Sequence, residues 1–298
     1  MLIIRVMGGL GNQLFQYALY ELLLQKGKEV CLDISHYSEE EGKGDKRPLD
    51  LLLFEGIEFR SCTNKEKYRY LDEKDAFFAK VRRKFFYSYR HVIEEKCQYM
   101  PEIFDLSEGY LEGYWNSERY SGQLEKVLWK KLRFPAPVEK RNRELAEKLL
   151  QQDSVSIHIR RGDYLEPQNV IIFGNICTEE YYRKAVEIIR LRMKNPVFYI
   201  FCEDSEYIRK HVQDEEICIV DWNTGRNSIY DMYLMSLCRG NICANSTFSI
   251  WASKLNQRND RVRVRPERLD NTVIQDSGEI DELKINQWFL VNREGKEI

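Results

Sequence analysis

Residues 2–13 constrain the fold more than any other stretch of the chain. Leu2–Val6 is a β-rich apolar run that breaks at Gly8-Gly9-Leu10-Gly11-Asn12-Gln13, and apolar residues then recur at helical spacing from Leu14 to Leu24. This is strand, glycine turn, helix. Glu29–Ile34 reads as a second short strand, so the chain opens as a βαβ unit, the building block of parallel sheets covered by helices.

Later segments repeat the pattern. Residues 36–100 read as loops and helices, Tyr110–Trp115 as a strand and Glu118–Leu132 as a helix. Phe134-Pro135-Ala136-Pro137 then interrupts regular structure and marks a linker. Beyond it, Glu139–Leu150 is an amphipathic helix and Val155, Ile157 and Ile159 alternate as a strand. Thr178–Met193 is a helix capped by Thr178, with Glu179 and Glu180 in its first turn. Strands at Val197–Phe201, Ile217–Val220, Asn241–Ala244 and Val262–Val264 alternate with helices starting near Ser205, Ser228 and Ser246. The chain thus divides into an N-terminal α/β domain at 1–136 and a C-terminal α/β domain at 137–298, whose last segment is a candidate to cross back.

Charge narrows the function. The 298 residues carry 46 Lys+Arg and 48 Asp+Glu, a net charge of −2, which offers no general attraction to nucleic acid or to an anionic membrane. No apolar run approaches the roughly 20 residues that cross a bilayer, and Met1–Val6 is too short for a signal peptide. A cytoplasmic location is expected, with at most peripheral membrane contact. The eight cysteines lack a Cys-x-x-Cys pair and the four histidines lack zinc-site spacing, so reduced thiols and no structural zinc are expected. No Asp-x-Asp pair exists among the aspartates, so phosphate charge would be met by arginine and helix ends rather than by a chelated cation.

Three constellations carry chemistry. In the first, Gly8 and Gly9 let backbone approach a ligand, while Asn12 and Gln13 offer amides at a helix start. The spacing satisfies neither the dinucleotide nor the P-loop motif, and an ordinary tight turn is the competing reading. The second is His158-Ile159-Arg160-Arg161-Gly162-Asp163-Tyr164 at a strand end, where the guanidinium fork suits phosphate oxygens. The competing reading is an Arg161–Asp163 ion pair beside a hydrogen-bonded histidine. In the third, Asn245-Ser246-Thr247-Phe248 carries a strand into a helix whose first N–H groups favour an anion, although Ser246 or Thr247 also reads as an ordinary cap. Asp231, on the helix striped by Ile229, Met232, Tyr233 and Leu237, either accepts from a guanine edge or faces solvent. A nucleotide-dependent oxidoreductase would need a Gly-x-Gly-x-x-Gly turn and a ribose-binding acid, and neither is in register.

Together these segments resemble the bacterial α-1,2-fucosyltransferases of glycosyltransferase family 11. The family's Gly-Gly-Leu-Gly-Asn-Gln-Leu-Phe-Gln-Tyr-Ala is matched unbroken at Gly8–Ala18, its His-x-Arg-Arg-Gly-Asp-Tyr at His158–Tyr164, and its Asn-Ser-Thr-Phe-Ser-x-Trp-Ala at Asn245–Ala252. Leu111-Glu112-Gly113-Tyr114-Trp115-Asn116-Ser117-Glu118 also resembles a family segment. The resemblance implies the GT-B architecture of two Rossmann-like domains facing a cleft. It also implies metal-independent chemistry, GDP-L-fucose as donor and a galactose-terminated acceptor.

On that resemblance, the donor site is expected to draw on Gly9, Gly11, Asn12 and Gln13 from the first motif. The second would contribute His158, Arg160 and Arg161, and the third Asn245, Ser246, Thr247 and Phe248, with Asp231 alongside. Arg160, Asp163, His158 and Asn12 are the catalytic candidates, with Asp163 ahead of Glu166 as base. A fucosyltransferase of another linkage, or a GDP-sugar-binding protein without catalysis, fits the same motifs.

Overall fold

The computed structural model describes residues 1–37, 48–71, 91–95, 97–211, 217–273 and 276–298. They divide into two compact units. One comprises Met1–Leu52 and Gly56–Leu124, the other Leu53–Glu55 and Glu125–Ile298. The division lies upstream of the Pro135–Pro137 segment, so the helix Glu125–Lys131 goes with the second unit.

The first unit holds a four-stranded sheet of β1 (Leu2–Arg5), β2 (Val30–Asp33), β3 (His91–Ile93) and β4 (Gly109–Glu112), in the order β2-β1-β4-β3. All pairings are parallel, with Leu2 opposite both Val30 and Gly109. The helix Leu10–Gln25 follows β1 and is buried along most of its length, including Leu14, Phe15, Tyr17, Leu19 and Leu22. Each of these apolar side chains contributes roughly 1.5–3 kcal/mol by leaving water.

The second unit holds β5 (Ser154–Ile159), β6 (Val197–Cys202), β7 (Cys218–Val220), β8 (Gly240–Ile242), β9 (Val262–Pro266) and β10 (Trp288–Val291). They form one parallel sheet in the order β10-β9-β8-β5-β6-β7. Val155 and Ile157 of β5 pack with Tyr181, Ala185, Ile188 and Ile189 of the helix Glu179–Arg192. Thr178 caps that helix, accepting from the Tyr181 N–H at 3.2 Å. On the other face of the sheet, Asn241 donates to Ser156 Oγ at 2.8 Å and to the Met235 carbonyl at 2.7 Å, so these two buried side chains of β5 and β8 are matched to each other.

The expected α/β class holds, with one parallel sheet in each unit. Several local expectations need correction. The single helix over 118–132 is instead Glu118–Ser121, a 3₁₀ turn at Gly122–Leu124 and the helix Glu125–Lys131. The tightening falls on Gly122, the poorest helix former in the segment. The strand expected to reach Trp115 stops at Glu112, and Trp115 has φ +55°, a left-handed conformation that ends pairing. Within 36–100, β3 is a strand where loops and helices are expected, and Trp288–Val291 and the helices Pro167–Phe173 and Ser277–Ile285 lie outside the elements expected from sequence. Three-residue β3 is too short to display a period of its own. Part of the 36–100 expectation, at 38–47, 72–90 and 96, lies outside the described residues.

Candidate active site

In an open parallel sheet, ligands bind beyond the carboxyl ends of the strands where the winding reverses. In the second unit that point lies between β5 and β8, which are neighbours although two strands separate them in sequence. The His158–Asp163 motif leaves β5 and the Asn245–Phe248 motif leaves β8 at this crevice. Tyr164 ties the two loops together, its hydroxyl donating to the Asn245 carbonyl at 3.0 Å.

Arg160 lies just beyond β5 rather than within it. Its Nη2 binds Asp163 Oδ1 at 2.7 Å, its Nη1 binds Glu203 Oε1 at 2.5 Å, and the guanidinium sits over the Tyr164 ring. Arg161 does not pair with Asp163 as one reading expected. Its Nε donates to Asp204 Oδ2 at 3.0 Å, and its guanidinium stacks 3.4 Å from the Tyr207 ring centroid. Glu203 and Asp204 follow β6, next to β5, so the acids come from 43 positions away in the chain. Gly162 leaves room for this arrangement, since a Cβ there would lie 2.5 Å from Glu203 Oε2.

His158 is buried, and its Nδ1 has no hydrogen-bond partner. Burial first, and then the Arg160 charge, push its pKa down to about 3. The ring is therefore neutral near pH 7, a polar contact and a weak base, 5.9 Å from the Phe248 ring. Asp163 is spent on Arg160, and its backbone carbonyl accepts from Asn169 at 2.9 Å. Glu166 accepts from Gln168 at 2.7 Å in an exposed position.

The Asn245 side chain turns into the protein, donating to the carbonyls of Phe173 and Leu269 at 3.0 and 3.2 Å. It shapes the turn instead of presenting an amide. Ser246 occupies the N-cap of the helix Thr247–Lys254 without a side-chain cap bond, so the ordinary capping reading is not realised. The helix thus begins just past the carboxyl end of β8 with no side-chain cap on its first turn, the condition that favours an anion. Asp231 does not simply face solvent. It accepts from Asn223 Nδ2 at 2.7 Å, and Asn223 is locked to Asn142, which also accepts from Trp222. Burial, opposed by the Asn223 bond, raises its pKa to about 7.

In the first unit the winding reverses between β1 and β4. The glycine turn leaves β1 there. Gly8 has φ +79°, and a Cβ on it would lie 2.7 Å from Asn12 Nδ2, so glycine is required on both counts. Gly9 is the N-cap of the helix Leu10–Gln25, and its carbonyl accepts from the Asn12 and Gln13 N–H groups. Gly11 is buried within the first turn. The Asn12 side chain is half-buried beside Gly8.

Gln13 corrects the expectation of a second ligand-facing amide. It is buried, its Nε2 donates to the carbonyls of Gly8 and Pro48 at 3.0 and 3.2 Å, and its Oε1 accepts from the Leu51 N–H at 2.8 Å. Residue patterning also missed Gln16, which accepts from the Met7 N–H and donates to the Gly113 carbonyl, each at 3.0 Å. This amide clamps β1 to β4. Glu203 and Asp204 were missed as well, although their place at a strand end was a usable signal.

Among the described residues, no three His, Cys, Asp or Glu side chains cluster as metal ligands, and no helix is long and apolar enough to cross a membrane. A family model, that of glycosyl transferase family 11, matches residues 64–292. An alpha-1,2-colitosyltransferase of Escherichia coli is 30% identical over 274 residues, covering 88% of this chain and 90% of the relative. The O-antigen biosynthesis glycosyltransferase WbnK of Escherichia coli is 27% identical over 290 residues, covering 88% and 92%. The galactoside 2-alpha-L-fucosyltransferase SEC1 of Bos taurus is 27% identical over 103 residues, covering 34% of this chain and 28% of the relative.

Proposed function

The chain belongs to glycosyl transferase family 11, and on that premise we propose that it transfers L-fucose from GDP-β-L-fucose to the 2-hydroxyl of a galactoside, in the building of a glycan such as an O-antigen. The observation that carries this reading is Arg160 over the Tyr164 ring at the end of β5, with the Tyr164 hydroxyl bonded to the Asn245 carbonyl at the entry to the uncapped helix Thr247–Lys254. A guanidinium and a helix N-terminus side by side suit a diphosphate.

The donor is β-linked and the product α-linked, so the transfer inverts in a single displacement through an oxocarbenium-like transition state. Charge grows on the β-phosphate as its bond to the anomeric carbon breaks. Arg160 and the N–H groups at Thr247 and Phe248 stabilise it there, with about 3 kcal/mol assigned to the guanidinium by comparison with an oxyanion donor. Glu203 is the exposed partner of Arg160, and an exposed ion pair contributes little. It gives way to the phosphate while Asp163 keeps the guanidinium in place. Arg161, stacked and paired, maintains the positive field. In this reading Asp231, half-protonated near pH 7, meets a guanine edge, and Asn12 an acceptor hydroxyl. His158 contributes a neutral contact.

The reaction needs no metal under this reading, and a chelator is expected to leave the rate unchanged. Loss of turnover with EDTA and recovery with manganese would remove the arginine-only account. The deciding experiment for the function is release of GDP from GDP-fucose, expected only when lactose or another β-galactoside is present. GDP release that ignores the acceptor, or none at all, defeats the assignment. A second reading has its own support: the relative at 30% identity is named for colitose, so nucleotide-activated colitose belongs in the same assay as a competing donor.

A further inference from the structure

The first unit gathers sulfur chemistry that glycosyl transfer does not use. Cys31 lies within β2, which has β1 on one side and residues 60–62 on the other. That second neighbour is fixed by a parallel bridge between Leu32 and Ser61 and by the Cys62 N–H, which donates to the Leu32 carbonyl at 2.9 Å. Three sulfurs meet there. The Cys62 thiol donates to the Cys31 sulfur, and the Cys31 thiol lies 3.8 Å from the thioether Sδ of Met1. All three side chains pack in one cluster with Ile3, Tyr70 and Tyr110. Cys31 is fully buried, while Met1 and Cys62 are half-buried, so the cluster meets water on the side of those two.

The residue types select the ligand. Thiolate and thioether are soft donors that favour monovalent copper, whereas hard divalent ions take oxygen. The spacing agrees with that choice. Three sulfurs in a trigonal plane, each ~2.3 Å from one ion, stand roughly 4 Å apart, close to the 3.8 Å between Cys31 and Met1. An ion at the centre of such a triangle takes the place of the thiol protons without spreading the sulfurs. Charge is balanced as well. Cu(I) with two thiolates and a neutral thioether carries a single negative charge, and the Arg60 guanidinium is at hand to meet it, with Nη1 on Met1 Sδ. Glu66 holds the other edge of Arg60 and also bonds Thr63, so the cation is fixed beside the sulfurs.

We propose that Met1, Cys31 and Cys62 form a binding site for one soft monovalent cation, Cu(I). Binding releases the two thiol protons to water and forms three metal–sulfur bonds. The copper stays monovalent, so no electron is transferred. The ion ties the start of the chain, β2 and the segment at 60–62 together, and a ligand that binds only the folded state stabilises it. Met1 precedes β1 and the glycine turn follows it, so the site and the turn lie at opposite ends of that strand. The site has no part in the transfer, and the inference stands apart from the donor and acceptor reading.

The reduced full-length protein, titrated with Cu(I) under anaerobic conditions against a chromogenic Cu(I) chelator, is expected to take up one equivalent and to melt at a higher temperature. Ag(I), equally soft and redox-silent, should do the same, and Mg(II) should not. Loss of a partner that only orients a ligand costs 10–100-fold in metal affinity, so Cys31→Ser and Cys62→Ser should each weaken binding at least about 100-fold. Cys218→Ser, at a half-buried thiol outside the cluster, should bind as the wild type does. Copper held equally well by the Cys31 and Cys62 variants overturns the site. Should those variants fail to fold, the wild type decides by two further measurements. Bound copper must protect Cys62 from alkylation while Cys218 stays reactive, and X-ray absorption must show three sulfur neighbours. Unprotected Cys62, or an ion with two sulfurs, defeats the proposal. So does a protein that takes up no copper when reduced and joins Cys31 to Cys62 as a disulfide under peroxide, since the pair would then be a redox couple.

Discussion

The Asp163 carboxylate stands 2.7 Å from Nη2 of Arg160, three residues before it in the chain. The pair keeps one edge of the guanidinium fixed while the other edge meets the more exposed Glu203. A guanidinium oriented by one acid and loosely covered by another is prepared to exchange the second for a phosphate.

Arg160→Lys is expected to lower kcat/KM by about 100-fold, the equivalent of ~3 kcal/mol. A point charge cannot hold Asp163 and a phosphate oxygen through one fork. Steady-state kinetics with GDP-fucose checks this, and unchanged turnover contradicts the role given to the fork.

Glu203→Ala removes the carboxylate that competes with phosphate for Nη1 of Arg160. Donor affinity is expected to rise several-fold, more at low ionic strength, because screening weakens exposed charge interactions. Titration of GDP at two salt concentrations measures it. A fall in affinity would mean that Glu203 positions the arginine instead of covering it.

Gln13→Ala strips three bonds from the base of the glycine turn; the Gly8 and Pro48 carbonyls keep the Tyr37 hydroxyl and the Asp50 N–H, and the buried Leu51 N–H loses its acceptor. The expected cost is about 2–3 kcal/mol, read as a drop in the denaturation midpoint. Loss of activity with stability intact would return Gln13 to the ligand-facing role suggested by its place in the motif.

Asp231 makes stability pH-dependent. Its pKa in the folded protein is raised to about 7 from the ordinary 3.8, so the folded state holds the proton more tightly than the unfolded chain. Stability from this group is complete below the unfolded pKa and is lost as pH rises through the folded one. Asp231→Asn keeps an acceptor for Asn223 and never ionises. It should match the wild type near pH 4 and become more stable at pH 8, by on the order of 2 kcal/mol after discounting for partial exposure. Denaturant melts across that range test the sign, and a stability difference independent of pH would contradict it.

The legible parts of the site were those coded in short spans. Gly8 needs its left-handed φ, the helix after Ser246 follows its strand directly, and Arg160 falls just past the end of β5. Each is a local preference of neighbouring residues. Glu203, Asp204 and Gln16 escaped notice because each acts on a partner supplied by another strand or loop. Gln13 and Asn245 were read outward because a motif shows that an amide is needed and is silent about which way it points.

By itself the sequence determined the alternation of strands and helices, the turns that only glycine permits, and the place of each motif at a strand end, since all of these depend on residues close together in the chain. Tertiary structure alone decided that β8 lies beside β5 and β4 beside β1, and with that which loops share a crevice and which acids hold Arg160 and Arg161. The physical reason is that strand order is settled by burying both faces of a parallel sheet at once. That condition is met by the whole unit and by no short segment of it.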